Sequence, residues 1–153
     1  MTTTTMNPAS AGAAANDNTT LPALADLVGR VGLAAIFLLA GLNKIGGYEG
    51  TQGYMASAGV PGELLPVVIF LEVVGALFLI AGFQTRITAL ALAGFSVLSG
   101  LLFHFNLADQ MQFILFFKNL AMAGGFLVLA ANGAGAWSVD AKRRSQVASP
   151  GFF

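Results

Sequence analysis

Four long apolar runs limit this chain to very few folds. An α-helix needs about 20 apolar residues to cross the hydrocarbon core of a bilayer, because each residue adds about 1.5 Å. Of the 153 residues, 56% are hydrophobic and 9% are charged, whereas soluble domains have about 45–50% and about 25%. A soluble fold of this size could not bury that much apolar surface. The runs of sufficient length are 21–42, 64–83, 87–105 and 111–131.

These runs predict helices rather than strands. Backbone polar groups in lipid must find partners within their own segment, which a helix provides. The runs are almost continuously apolar and lack the alternation of membrane β-barrel strands. We therefore expect an all-α fold, an integral membrane four-helix bundle in contact with the lipid bilayer.

The connecting segments differ in character. Residues 1–20 are polar and alanine-rich without a hydrophobic period, which predicts a disordered tail, and residues 142–153 form a basic tail. In the 45–63 loop, Thr51 is placed to cap a short helix that Gly59 would end. This short interfacial helix is either an ordinary surface helix or a lid over a substrate.

Basic residues near helix ends predict the orientation, since they are enriched on the cytoplasmic side. Lys44 would stand alone on the opposite side. Both termini are then cytoplasmic, and the 45–63 loop and the 106–110 turn are outside. The residues that share the cytoplasmic side are Arg30, Arg86, Lys142, Arg143 and Arg144.

Composition excludes several kinds of chemistry. The absence of cysteine removes disulfide exchange, thiolate catalysis, iron–sulfur clusters and cysteine zinc sites. The single histidine, His104, excludes a bis-histidine haem within one chain. The formal net charge of zero gives no reason to expect nucleic-acid binding. No metal site or intrinsic cofactor is therefore predicted, and the sequence identifies no particular catalytic residue.

Two charges lie inside the apolar runs, and each should face protein. An isolated charge near mid-bilayer costs on the order of 3 kcal/mol. Glu72 and Lys118 lie eight and seven residues into helices that enter from outside, about 10–12 Å deep, which favours a pair. The pair either fixes helix register or forms a proton or ligand site. Asn119 adds a hydrogen-bonding group but is turned about 100° away.

The third run carries a stripe of small residues that would allow another helix to approach closely. The stripe consists of Ala89, Ala93, Ser96 and Gly100, and His104 continues it. In the first run, Asp26 lies one turn before Arg30 and is placed to pair with it, a structural role at the interface. Lys44 lies on the outer side at the level of His104 and is the better functional candidate.

Phenylalanines crowd the outer half of the third and fourth runs. They would either enclose a planar quinone head group or simply face lipid and core. The residues are Phe103, Phe105, Phe113, Phe116 and Phe117.

The order of these features resembles the DoxX family of small bacterial and archaeal membrane proteins. The similarity rests on Arg30, IFLLAGLNKI, TQGYMASAGVP, LPVVIFLEVVGALFLIAGFQTR, LLFHF, FFKNLAMAGGFLVLA and Ser138-Val139-Asp140. It covers about 24–141, and the corresponding domain is placed at 21–141. The resemblance implies a prokaryotic cytoplasmic (inner) membrane location, association with quinone-linked redox pathways, and redox partner proteins.

The leading hypothesis is an accessory or non-catalytic membrane subunit, not a self-sufficient oxidoreductase. It would bind a quinone-like small molecule, or a partner protein, in an outer-leaflet polar pocket. The ligand-binding candidates are Glu72, Lys118, His104, Asn119 and Lys44; the structural or interfacial charges are Asp26, Arg30 and Arg86. The alternatives are a small-solute or proton carrier and a purely structural membrane scaffold. The oligomeric state is left open.

Overall fold

A computed structural model describes the backbone of residues 8–148 and the side chains of residues 19–148. This part of the chain is helical and contains no strand, which confirms the predicted fold class. The elements are α1 (Pro8–Gly46), α2 (Tyr48–Ser57), a 3₁₀ turn (Gly62–Leu64), α3 (Leu65–Ala81), α4 (Thr85–Phe103), α5 (Gln110–Asn132) and α6 (Val139–Ala148).

Four described helical segments are long and apolar enough to cross a membrane. They are Thr19–Gly46, Gly62–Ala81, Thr85–Phe103 and Gln110–Asn132. The ends of the last three lie within two residues of the predicted runs. Sequence hydropathy alone therefore located these spans.

The first helix begins earlier than predicted. Residues 8–20 were expected to belong to a disordered tail, but α1 is continuous from Pro8 and includes Pro22. Alanine is the best helix former, and a segment that extends an existing helix avoids the cost of nucleation. Residues 1–7 of the predicted tail lie outside the described residues. At the other end, residues 142–148 of the predicted basic tail belong to α6.

The bundle is built from two extensively packed helix pairs. α1 packs against α3, α4 packs against α5, and α3 joins the pairs through its contact with α4. The core between them includes Ala34, Phe37, Leu92, Ala123 and Phe126. The rings of Phe37 and Phe126 meet edge to face with centroids 5.3 Å apart.

Glycines allow the close approach of the paired helices. A Cβ atom at Gly41 of α1 would lie 2.6 Å from Cγ2 of Val73 on α3. A Cβ atom at Gly100 of α4 would lie 3.2 Å from Cβ of Asn119 on α5. The small-residue stripe predicted on α4 is buried along its whole length, as expected for a packing face.

The two ends of the bundle differ in their polar residues. One end, here called the histidine end, carries Lys44, Glu72 and His104. The opposite end, here called the arginine end, carries Arg30, Arg86 and α6. The short helix α2 lies at the histidine end, as predicted for the 45–63 loop. It begins at Tyr48 rather than Thr51, and the Thr51 hydroxyl donates to the carbonyl of Gly47 at 2.9 Å.

Candidate functional site

A buried ion pair lies at the centre of the histidine end. Lys44 Nζ donates to both carboxylate oxygens of Glu72, at 2.8 and 2.9 Å. Glu72 is only 3% exposed, while about a quarter (26%) of the Lys44 side chain is exposed. Gly41, one turn before Lys44, brings α1 against α3, because its missing Cβ would lie 3.2 Å from Cβ of Glu72. The pair therefore joins α1 to α3 one turn from this close contact.

The predicted pairing of Glu72 with Lys118 is wrong. Lys118 is exposed and forms no ion pair within the described part of the chain, where Lys44–Glu72 is the only one. The inward face of α5 instead carries Asn119, Ala123, Phe126 and Ala130. The rotation of α5 was predicted wrongly, and one residue step turns a side chain by about 100°.

A large cavity opens between α2, α3 and α4 beside the ion pair. Its volume is about 380 Å³, within the usual range for small-molecule sites. The walls are mainly apolar, including Val68, Leu71, Phe95 and Leu98. At its polar end the cavity reaches Lys44, Glu72 and His104. The arrangement suits an amphipathic molecule with an apolar body and a hydrogen-bonding end.

Helix α2 covers this cavity. Thr51, Tyr54 and Met55 contribute to the lining, and Met55 is buried. The Tyr54 ring stacks on the Phe103 ring at the end of α4, with centroids 5.3 Å apart and planes 24° from parallel. Gln52 holds the following turn by donating to the carbonyl of Gly62 at 3.2 Å. The helix therefore forms one wall of the cavity.

A second, smaller compartment lies on the other side of the ion pair. Its volume is about 140 Å³, and it is bordered by α1, α4 and α5. All five ligand-binding candidates line it, namely Lys44, Glu72, His104, Lys118 and Asn119. Three of these candidates, Lys44, Glu72 and His104, line the large cavity as well and so belong to the boundary between the two compartments.

His104 is oriented by a neighbour that the sequence reasoning missed. Its Nδ1 lies 2.8 Å from Oε1 of Gln112 and donates to this oxygen in the Nδ1–H tautomer. A neutral His104 then presents Nε2 as an acceptor. The only sequence indication was a polar residue placed two positions into α5, just beyond the turn after His104. Phe95 and Ser99 were also missed; they line both compartments and lie one helical turn apart.

Most of the crowded phenylalanines face outward. Phe103 lines the large cavity and stacks on Tyr54. Phe105, Phe113 and Phe117 are exposed, and they contact one another or Phe116. Lipid contact therefore accounts for the exposed rings, and one of the five belongs to the cavity wall.

At the arginine end, Arg30 ties three segments together. It is 2% exposed and donates to the carbonyls of Ala134 and Trp137, the latter at 2.9 Å. A longer bond of 3.4 Å reaches the carbonyl of Ile80 near the end of α3. The predicted Asp26–Arg30 pair does not form; the Asp26 side chain packs against Gly135, whose φ is +75°. The two terminal nitrogens of Arg30 donate to backbone carbonyls because α1 places the residue under the 133–138 loop, while its buried Nε has no hydrogen-bond partner among the described residues.

Asp140 anchors the start of α4. Its two carboxylate oxygens accept from the backbone amides of Gln84 and Thr85, each at 2.9 Å. Burial would raise the pKa of Asp140, but the hydrogen bonds from Thr85 and Gln84 and the charge of Arg144 lower it overall. Asp140 therefore stays ionised and stabilises the amides at the helix start, which have no partner within the helix.

A basic groove lies beside this anchor, at the ends of α4 and α5. Its volume is about 610 Å³, and its lining includes Arg86, Gly133, Asp140, Arg143 and Arg144. Arg143 lies over the Phe83 ring at 5.5 Å from the centroid. Within residues 19–148, no three histidine, aspartate or glutamate side chains cluster as a metal site would require.

Fold and site together define the class of protein: an integral membrane protein of four spanning helices with a polar-ended cavity at one end. The sequence profile of the DoxX family matches residues 25–105, and the chain belongs to this family. No solved structure matches the chain.

Two curated relatives come from Escherichia coli (strain K12). The chain is 51% identical to inner membrane protein YqjF over 114 aligned residues, and the alignment covers 74% of this chain and 88% of YqjF. It is 35% identical to inner membrane protein YphA over 121 aligned residues, and the alignment covers 74% of this chain and 86% of YphA. Both relatives are inner membrane proteins, in agreement with the four spans of this chain.

Proposed function

We propose that this protein is an accessory component of a quinone-linked redox pathway and binds a quinone-like ring at the histidine end. One observation carries the proposal: an apolar cavity of about 380 Å³ ends at Lys44, Glu72 and His104. Ligand sites of this kind combine an apolar body with a few convergent polar groups. A quinone has the matching form, an apolar ring and tail with polar oxygens on the ring.

The polar groups match both redox states of such a ring. Two of the three Lys44 Nζ hydrogens are used by Glu72, which leaves one for a quinone carbonyl. Neutral His104 offers Nε2 as an acceptor for the hydroxyl of a quinol. Glu72 holds the Lys44 amine in place by accepting two of its hydrogens.

Electrons would have to come from a partner protein. The sequence contains no cysteine and a single histidine, which leaves no thiol pair or bis-histidine haem ligand set within one chain. The protein would therefore hold the ring and its polar contacts, while the partner oxidises or reduces it.

In the membrane, both termini would face the cytoplasm, with the histidine end outside. Arg86, Arg143 and Arg144 share one groove and α6 also carries Lys142, so with Arg30 five basic residues gather at the arginine end. The positive-inside rule assigns such an end to the cytoplasm. A periplasm-active reporter should be active when fused within the 45–63 loop and inactive when fused at Ser149. The reverse pattern would contradict the orientation.

A binding site open to one end fits this bundle better than a carrier. Between Arg30 and Lys44, the inward residues of α1 are apolar, and Ala34 and Phe37 are buried in the core. The inward face of α4 adds Ser96, whose buried hydroxyl already donates to the carbonyl of Leu92 at 2.8 Å within its own helix. A proton or solute pathway would need a continuous chain of polar groups or water through the bundle. A pH-dependent flux in vesicles would favour the carrier despite this argument.

The test is thermal unfolding of the purified protein in detergent with a short-chain ubiquinone. A ligand at 100 times its Kd stabilises by about 2.7 kcal/mol, so wild type should gain stability. Lys44→Met and His104→Phe should each lose that gain, because they remove polar contacts to the ring. The matched control, Lys142→Met, changes a lysine outside the cavity and should keep it. Equal gains in wild type and all variants would indicate nonspecific partitioning and leave the scaffold hypothesis.

A further inference from the structure

We propose that the basic groove at the arginine end binds the head group of an anionic phospholipid. This site is separate from the cavity at the histidine end, because the two share no lining residue. The groove lies at the boundary of the spans, since α4 begins at Thr85 and α5 ends at Asn132. A lipid phosphate lies at the same level in a bilayer.

The charge in the groove is strongly unbalanced. Arg86, Arg143 and Arg144 line it, and Asp140 is the one acidic lining residue, which leaves a net charge of +2 (three positive, one negative). Both carboxylate oxygens of Asp140 already accept from backbone amides, so this carboxylate is engaged in anchoring α4. Three guanidinium groups therefore share the groove with a single carboxylate, which already accepts two backbone amides. A phosphodiester would supply the missing negative charge and accept several of their hydrogen bonds.

Local structure keeps the groove open and its arginines in place. Gly133 forms part of the wall with a φ of +86°, and a Cβ there would lie 3.6 Å from Nε of Arg86. A side chain at this position would be strained and would narrow the space around Arg86. Arg143 is held over the Phe83 ring by a cation–π contact.

Apolar residues beside the arginines favour a lipid over a soluble acidic partner. Ile87 and Val147 line the groove and are 69% and 82% exposed. Leu90, one turn further along α4, is exposed as well. A lipid with its phosphate at the arginines can lay an acyl chain along Ile87 and Leu90. Basic pockets between membrane helices recognise anionic lipid head groups by this combination of charge and apolar surface.

Native mass spectrometry of the delipidated full chain in detergent tests the proposal. Phosphatidylglycerol is the probe, phosphatidylcholine is the lipid control, and glycerol phosphate represents a free phosphate ion. We expect phosphatidylglycerol to bind, phosphatidylcholine to bind at least about tenfold more weakly, and a tenfold excess of glycerol phosphate not to displace it. Displacement by glycerol phosphate would mean that the groove binds a free phosphate ion rather than a lipid. Equal binding of phosphatidylglycerol and phosphatidylcholine would mean nonspecific lipid binding. Either result would overturn the proposal.

Variants assign the binding to the groove. Arg86→Gln and Arg144→Gln should each weaken phosphatidylglycerol binding about tenfold, the loss of one charge-assisted contact. Lys142→Gln is the matched control: it removes one positive charge from the same helix, but Lys142 does not line the groove. This variant should bind within about twofold of wild type. An equal loss in Lys142→Gln would show that binding follows overall charge, and the groove would be rejected.

Discussion

The ion pair between Lys44 and Glu72 predicts an unequal response to its two single substitutions. Lys44→Met leaves the Glu72 carboxylate, 3% exposed, buried without its partner. Removing one partner of a buried pair costs about 3–5 kcal/mol of unfolding free energy. Glu72→Leu leaves a lysine whose side chain is 26% exposed and can extend its amine toward water. That variant should lose less, about 2 kcal/mol.

Equilibrium unfolding in detergent micelles, followed by the fluorescence of the single tryptophan, measures these losses. The double variant Lys44→Met/Glu72→Leu leaves no unmatched charge, so it should recover at least about 2 kcal/mol of the summed single losses. The matched cycle uses Lys118→Met with Glu72→Leu. Lys118 forms no ion pair among the described residues, so this coupling should stay below about 0.5 kcal/mol. Additive losses at Lys44 together with coupling at Lys118 would refute the pairing.

Three further substitutions test packing and anchoring by the same unfolding measurement. Gly41→Ala should lower the free energy of unfolding by about 1–3 kcal/mol, because its Cβ would lie 2.6 Å from a Val73 methyl. The control Gly29→Ala, whose Cβ would meet no atom within 4 Å, should not lower it. Arg30→Lys should lower the free energy of unfolding by at least about 2 kcal/mol, since an ammonium cannot replace the guanidinium's bonds to several carbonyls. An unchanged stability would contradict the anchoring role of Arg30. Asp140→Ala should lose about 1 kcal/mol with the cap of α4. Because the pKa of Asp140 is lowered on folding, its contribution to stability is complete above the ordinary carboxyl pKa and is lost as pH falls through the lowered value. A difference in unfolding free energy between wild type and Asp140→Ala that persists in acid would contradict this.

The sequence was sufficient to predict the four spans and those inward helix faces on which small residues recur at helical spacing. Apolar length identified all four spans, and the small-residue stripe identified the inward face of α4. Glu72 was correctly placed inward because Gly75 and Ala76 share its face, and all three are buried. These predictions succeeded because length and period are properties of a single helix.

Pairing between helices depended on information outside any one helix. Glu72 lies at a similar depth to Lys44 and Lys118, and depth could not decide between the two lysines. The choice is made by the close contact at Gly41, which brings α1 against α3, and by the rotation of α5, which turns Asn119 inward. The spacing of Asn119, Ala123, Phe126 and Ala130 at four, three and four residues was a sequence indication of that rotation.

The cavity itself could not be predicted, since it depends on how α2 folds back over α3 and α4. The sequence suggested a short helix in this loop but not that Tyr54 would stack on Phe103. Similarly, the basic groove arises only because the 133–141 segment returns beneath α4, where Asp140 binds its first amides.

Photoaffinity labelling with a diazirine-bearing ubiquinone analogue, in lipid nanodiscs, tests the proposed binding site most directly. If the ring binds beside Lys44, Glu72 and His104, peptide mapping should find the label on the cavity walls, at Tyr54, Met55 or Phe103. Excess unlabelled quinone should compete that label away, and His104→Phe should reduce it. Labelling confined to lipid-facing rings such as Phe113 and Phe117, unaffected by competitor or by the substitution, would contradict the account.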